Sequence, residues 1–340
     1  MSFLKRIIPT AFILFMVVST GSMSDGLPCL RLSLPPRFGA VPIALAEQWG
    51  LYEEQGVSVG ITGLPDSQAR SLALMTGAID AMVCNVVTAV LLVTSGCDIV
   101  ITSTIYHPQS ASLALLSRSY YNIHTIQDLL ERTEPGHMMK SIGIIERSDL
   151  EYHLDTLLTS LGYVIDPEED YWGLYDLLQL ATFLSLGSVY AAVLPEPYTT
   201  YIEYYPLPGP PSTLNHLSDF EGIDLLPEVI VFRRAAIERS PEAVTAFYTA
   251  LRETVERINA STRDELIEAG VTEALALFFH GASRESVPQA VLDEIVIPYF
   301  HPPQMLPKER FDDVVSWLNA KRYTWKRPQY EEMTTDQFVQ

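Results

Sequence analysis

The chain is poor in cysteine and in positive charge. Its 340 residues include 3 cysteines, and 22 Lys and Arg stand against 42 Asp and Glu, a formal net charge of −20. An odd cysteine count supplies no disulfide framework, so isolated buried thiols are the expectation for Cys29, Cys84 and Cys97. The shortage of cations argues against a nucleic-acid partner, which needs clustered Lys and Arg. No Gly-rich phosphate loop, zinc-ligand spacing or heptad array is present. The histidines (His107, His124, His137, His153, His216, His280 and His301) form no metal-ligand motif, so no cofactor is expected. Charged residues make up 19% of the chain against 48% apolar, which suits a well-buried globular protein of one or two domains.

What is present begins with a targeting segment. Lys5 and Arg6 precede an apolar run from Ile7 to Val18, broken by Pro9 and Thr10, and the small residues "STGSMS" follow. The run is short of the roughly 20 residues that a membrane span needs. Residues 1–24 are therefore expected to be a signal peptide cleaved near Ser22 to Ser24, with an uncleaved anchor as the competing reading. A lipid anchor on Cys29 is disfavoured, because "GLP" places a proline directly before the cysteine. An exported, periplasmic or cell-surface protein is the expectation.

From residue 28 the pattern alternates. "LRLSL" (30–34), "VSVGI" (57–61), "AIDAMVC" (78–84) and "DIVITST" (98–104) are β-prone, and "PIALAEQW" (42–49), "SQARSLALMT" (67–76) and "VVTAVLLVTS" (86–95) have helical spacing. Single helices between strands imply right-handed crossovers and a mainly parallel sheet covered on both faces. In "LAEQWGLYEEQGVSV" (45–59), Gly50 and Gly56 can each take the left-handed conformation that stops a helix, letting the chain turn into the next strand. The same alternation continues with "TIQDLLER" (125–132), "SIGII" (141–145), "DLEYHLDTLLTSL" (149–161), "VYAAVL" (189–194) and "EVIVFRR" (228–234). The helix "SPEAVTAFYTALRETVERI" (240–258) follows, with Ser240 at its N-cap and Pro241 at its first position. "YPLPGPPS" (205–212) reads as a surface turn.

An internal echo organises this order. "TGAIDAMVCN" (76–85) and "LGSVYAAVLP" (186–195) align with Gly77 on Gly187, Ile79 on Val189, Ala81 on Ala191 and Val83 on Val193. Two α/β lobes of related wiring would produce it, and chance similarity between small-residue strands competes.

"ALAEQWGLYEEQGVSV", "GAIDAMV" and "AVLPEPY", in this order and spacing, resemble the periplasmic substrate-binding proteins of bacterial ABC importers. The nearest subgroup serves alkanesulfonates, taurine and thiamine-pyrimidine precursors. The resemblance runs from Leu30 to about Tyr323 and includes "LPKERFDDVVSWLNAKRY" (306–323). It implies an α/β, two-lobed periplasmic-binding-protein fold of type II, with two crossovers forming a hinge and a ligand cleft between lobes. Lobe 1 would comprise residues 28–108 and 230–318, lobe 2 residues 109–229, and a C-terminal tail residues 319–340. The implied partners are a small-molecule ligand and the transmembrane subunits of an ABC permease, with the chain acting as a monomer. Two departures stand out: Tyr190 replaces an aspartate usual in the family, and "ERTEPGHMMK" (131–140) lengthens one connection. Nothing matches the cysteine-rich motif of the related yeast pyrimidine-precursor synthase.

Ligands in open α/β sheets sit beyond the carboxyl ends of strands, where helix N-termini present N–H groups. In lobe 1 this selects Arg37 and Phe38 after the first strand, Ser67 and Gln68 at the next helix start, and Asn85 and Thr88 after "AIDAMVC". Tyr106 joins them at the first crossover. For Ser67 and Asn85 a plain capping role competes, and for Arg37 a solvated loop charge. In lobe 2 the candidates are Arg147, Ser148, Tyr152, Glu196 and Tyr198, with Ser148 and Glu151 also forming a capping box. Glu146, Asp149, Glu151 and Glu196 crowd this mouth, opposed by Arg147. That charge favours a heteroaromatic amine resembling a pyrimidine precursor over an alkanesulfonate or taurine. An enzyme on the same fold is the main competing function, but it would need a placed acid–base pair that the sequence does not display. A sensor lobe would need a further signalling domain.

Overall fold

The computed structural model describes residues 26–64, 66–109, 112–131, 142–164, 171–174, 176–204, 213–276 and 289–339. The targeting segment, the inserted residues after Glu131 and the "YPLPGPPS" turn lie outside these.

Ten strands are present among the described residues: β1 (Cys29–Ser33), β2 (Ser58–Ile61), β3 (Ala81–Asn85), β4 (Ile99–Tyr106), β5 (Leu113–Arg118), β6 (Ile142–Ile145), β7 (Tyr171–Leu174), β8 (Ala191–Pro195), β9 (Leu214–Ser218) and β10 (Glu228–Arg233). They form two five-stranded sheets, in the orders β2-β1-β3-β10-β4 and β7-β6-β8-β5-β9. The chain leaves the first sheet between β4 and β5 and returns between β9 and β10.

The sheets are mixed rather than mainly parallel. β1 runs parallel to β2 and β3, and β6 to β7 and β8. β10 is antiparallel to both β3 and β4, and β5 to both β8 and β9. β5, β7 and β9 have no counterpart in the sequence reading. "LALLSR" is a short apolar run that periodicity cannot assign, and "LNHLS" is a half-buried strand at a sheet edge.

The apolar runs follow from burial on both faces. In β3, Ala81 and Val83 face a core with Val244, Phe247 and Leu251 of the helix Pro241–Ala260. Met82 and Cys84 face the opposite core, with Val86 and Val90 of the helix Val86–Thr94 and Phe311 and Val314 of the helix Lys308–Ala320. β10 splits likewise, Ile230 and Phe232 to one side, Val229 and Val231 to the other. Each buried Val, Leu, Ile, Phe or Met among these stabilises the fold by roughly 1.5–3 kcal/mol. Ser240 does stand at the N-cap of Pro241–Ala260, but its hydroxyl makes no cap bond. The last residues dock on the first lobe, with Thr334 bridged to Ile101 and Phe338 stacked on Tyr248.

The echo extends further than its sequence signal. The helices Ser67–Thr76 and Leu177–Leu186 each have an aspartate N-cap, Asp66 and Asp176, that accepts from the third helical N–H. Each ends on a left-handed glycine, Gly77 (φ 78°) and Gly187 (φ 73°), before the central strand β3 or β8. Tyr190 lies away from the cleft, its carbonyl accepting from Ser117 and its ring edge-on to Tyr121. The departure from the family aspartate therefore does not touch the cleft.

A Cβ on Gly77 would lie 2.5 Å from Arg233 Nη1, and one on Gly187 2.6 Å from the Tyr121 hydroxyl, in addition to the unfavourable φ. Gly77→Ala and Gly187→Ala are each expected to lower the unfolding free energy in urea by about 1–3 kcal/mol. Gly60→Ala, in open space, serves as the control and should change it by less than about 1 kcal/mol.

Candidate functional site

Between the lobes lies a cleft open to solvent. Its first-lobe wall is built by Arg37 after β1, Asp66, Ser67 and Arg70 at the start of one helix, and Asn85 and Thr88 at the start of the next. Its second-lobe wall is Glu146, Arg147, Ser148 and Asp149 after β6, with Asp176. Four helix N-termini, at Ser67, Val86, Asp149 and Leu177, thus open on one space, as the strand-to-helix order requires.

Arg37 is the hinge of the electrostatics. Its Nη1 donates to both carboxylate oxygens of Asp149, at 2.9 and 2.7 Å, from the opposite lobe. Its Nε lies 2.7 Å from Oε1 of Glu228 at the head of β10, an ion-pair contact without hydrogen-bond alignment. The other oxygen, Oε2, accepts from the Gly39 N–H at 3.0 Å. A Cβ at Gly39 would sit 2.0 Å from that oxygen, so only glycine lets the backbone reach it. Burial alone would lower the Arg37 pKa, but the Asp149 and Glu228 carboxylates raise it above its ordinary value. Burial holds Glu228 above the usual carboxylate range, against the pull of Arg37.

A smaller chamber lies behind Arg37, lined by Phe38, Tyr106, His153 and Glu196 together with Arg37 and Glu228. Phe38 and Tyr106 meet edge-on, with ring centroids 6.0 Å apart. Burial pushes the Tyr106 hydroxyl up to about 12 and raises Glu196 above the usual carboxylate range. His153 Nε2 accepts from the Leu226 N–H at 3.3 Å, and burial lowers its pKa to about 4.

The structure brings nine of the twelve sequence-derived residues to these two chambers or their shared wall, but not in one group. Ser67, Asn85, Thr88, Arg147 and Ser148 line the larger chamber; Phe38, Tyr106 and Glu196 the smaller; Arg37 lines both. Gln68 is exposed one position away from the cleft-lining face. Tyr152 packs edge-on to Trp317 in the core instead of facing ligand space, and Tyr198 is fully buried. Asp66, not Ser67, caps its helix, accepting from Ala69 N at 2.8 Å. Asn85 does cap, accepting from Thr88 N at 2.8 Å. Ser148 accepts from Leu150 N, while Glu151 accepts from Arg147 N, a capping box displaced by one residue.

The acidic mouth is largely spent. Asp149 serves Arg37, Glu151 meets Lys321 Nζ at 2.8 Å, and Glu146 lies 3.3 Å from Arg147. Arg147 is thus not the only cation opposing these acids. The residue missed by the sequence reading is Arg70. It is 8% exposed, lines the larger chamber, and its Nη1 has no hydrogen-bond partner. Burial lowers its pKa from the ordinary arginine value. The available signal was its place three residues after Ser67, which puts both on one helix face. Among the described residues no cluster of His, Cys, Asp and Glu suits a metal ion, and no helix is long and apolar enough to cross a membrane.

Arg37→Met leaves Asp149 and Glu228 buried without their cation and is expected to cost about 3–5 kcal/mol of stability. Arg147→Ala, at a side chain 58% exposed, should cost no more than about 1 kcal/mol; urea unfolding measures both. His153 takes a proton when unfolded at pH values where the folded state does not, between its ordinary 6.5 and about 4. Its contribution to stability is therefore complete above the upper value and lost as pH falls through the lower one. The pH slope of the unfolding free energy should flatten over that window in His153→Phe relative to the parent chain.

No protein-family model and no curated protein matches the sequence. Solved structures do match. The alkanesulfonate-binding protein SsuA from Xanthomonas axonopodis pv. citri, bound to MOPS, is 17% identical, with a TM-score of 0.69 over 92% of this chain and 99% of that one. A putative sulfonate ABC transporter's periplasmic sulfonate-binding protein SsuA from Methylobacillus flagellatus KT is 14% identical, with a TM-score of 0.64 over 93% and 94%. The periplasmic nitrate-binding protein NrtA from Synechocystis PCC 6803 is 12% identical, with a TM-score of 0.68 over 92% and 88%. At these identities the likeness is one of fold: the chain has the two-lobed α/β architecture of the periplasmic binding proteins.

Proposed function

We propose that the chain is the solute-binding component of an ABC-type importer, acting outside the cytoplasmic membrane as a monomer. It captures a small anion between its lobes and delivers it to the membrane permease. The observation that carries this reading is Arg70, a buried guanidinium with a free nitrogen on the wall of the larger chamber. An unpaired charged donor held away from water is costly, and an oxoanion would satisfy it with charge-assisted hydrogen bonds. Ser67, Asn85, Thr88 and Ser148 supply neutral polar groups around the same space.

The preference for a heteroaromatic amine rested on free carboxylates at the mouth. With Asp149 and Glu151 engaged by Arg37 and Lys321, two of the four acids behind that preference are spent, and the alkanesulfonate or taurine alternative gains. The sulfonate and nitrate ligands in the names of the similar structures agree with it. A carrier fits better than an enzyme, because Asp149 and Glu228 are ion-paired and Asp66 and Asp176 cap helices. None of these four is placed to act as a general base.

Titration calorimetry with alkanesulfonates, taurine, nitrate, short carboxylates and an aminopyrimidine tests this. An anion should bind, and Arg70→Met should weaken it roughly ten- to a hundred-fold, the equivalent of about 1.5–3 kcal/mol. Tight binding of the aminopyrimidine alone, unaffected by Arg70→Met, would overturn the reading.

A further inference from the structure

The helix Asp149–Ser160 belongs to the second lobe, since it follows β6 and packs on that sheet. First-lobe residues nevertheless hold it from two sides. Inside the cleft, Arg37 takes Asp149 in the two-pronged contact already described. Outside the cleft, three groups at and just beyond the end of the helix Lys308–Ala320 take Glu151 and Asp155. Trp317 Nε1 donates to Asp155 Oδ2 at 2.8 Å. Lys321 Nζ lies 2.8 Å from Glu151 Oε1 and 2.9 Å from Asp155 Oδ2. The Tyr323 hydroxyl donates to Glu151 Oε1 at 2.7 Å. Lys321 and Asp155 side chains are each 13% exposed, and Glu151 is fully buried.

Lys308–Ala320 is itself part of the first lobe, with Phe311, Val314 and Leu318 in one core with Val86 and Val90. Helix geometry explains the two-sided grip. Glu151 and Asp155, four residues apart, share a face, whereas Asp149, two residues before Glu151, points about 200° away from it. The two grips come from different stretches of the first lobe and hold different faces of the helix, and a swing that carries Asp149–Ser160 away from the first lobe would part both. Parting them leaves buried charges without partners, which is strongly unfavourable.

We propose that the closed arrangement is the resting state of the solute-free chain. Asp149 supplies, from within the protein, the negative charge that joins the two walls at Arg37. Solute enters by release of Asp149–Ser160 from its two grips, and capture selects a transiently open minor state instead of inducing closure. This deepens the carrier reading but does not depend on which solute Arg70 holds.

The test uses the full chain freed of solute, with native mass spectrometry confirming the bare mass. Small-angle scattering should give the compact two-lobed form for the parent chain. The double variant Asp149→Asn, Lys321→Met should give a larger radius of gyration. Its amide exchange in Asp149–Ser160 should be at least about tenfold faster. Because Asp149→Asn disturbs a buried pair, Lys321→Met with Tyr323→Phe, confined to the outer grip, provides a second variant, and circular dichroism verifies that each is folded. The outer variant should also speed exchange in this helix. A parent chain as expanded without solute as the folded double variant overturns the proposal, and so does a folded outer variant with unchanged exchange. Neither measurement involves an anion, so a failed anion screen would sink the ligand assignment and leave this result standing.

Discussion

A guanidinium placed between two apolar lobes must find carboxylates, because an unpaired charge there would cost more than the whole fold can spare. Arg37 finds one on each wall: Glu228 from its own sheet and Asp149 from the other. Much else is arranged around that requirement. Gly39 lacks a side chain so that its N–H can reach Glu228. β10 begins at the cleft, with that glutamate as its first residue. The same triad separates a small, aromatic, carboxyl-bearing chamber from a larger one in which Arg70 is the buried cation with a free nitrogen.

The two lobes solve one folding problem twice. An aspartate cap, a ten-residue helix, a left-handed glycine and a short small-residue strand recur in the same order. In each sheet the next strand across lies antiparallel to the repeated one, β10 beside β3 and β5 beside β8. The repeat positions helix N-termini at the cleft from both sides, so the polar character of the site follows from the topology before any particular side chain is considered.

Much of this was legible in the chain itself. The helix Ser67–Thr76 coincides with its periodic pattern, and β3 and β10 fall within or beside their apolar runs. Position after a strand is enough to bring Asn85 and Ser148 to the cleft wall. It says nothing of tertiary pairing. Nothing local reveals that Arg37 will meet Asp149, 112 residues on, or that Gly39 will meet Glu228, 189 residues on. Counting acids near the mouth therefore misjudged its charge. Arg70 escaped notice because a lone arginine in an amphipathic helix ordinarily faces water. Tyr152 was assigned to the cleft although its helical phase turns it toward Trp317.

The insertion of β10 between β3 and β4 bears on how the protein is made. The second sheet is drawn from one unbroken stretch, Leu113 to Ser218, whereas the first cannot join β3 to β4 until Arg233 has been synthesised. During translation the second lobe is therefore the one able to complete its hydrogen-bonded sheet first. The amino-terminal strands must wait, with β3 and β4 presenting unpaired edges, through the emergence of more than a hundred further residues. Such edges invite association, so the order of the sheets makes the nascent first lobe the part of this chain with the greatest need of protection by a chaperone.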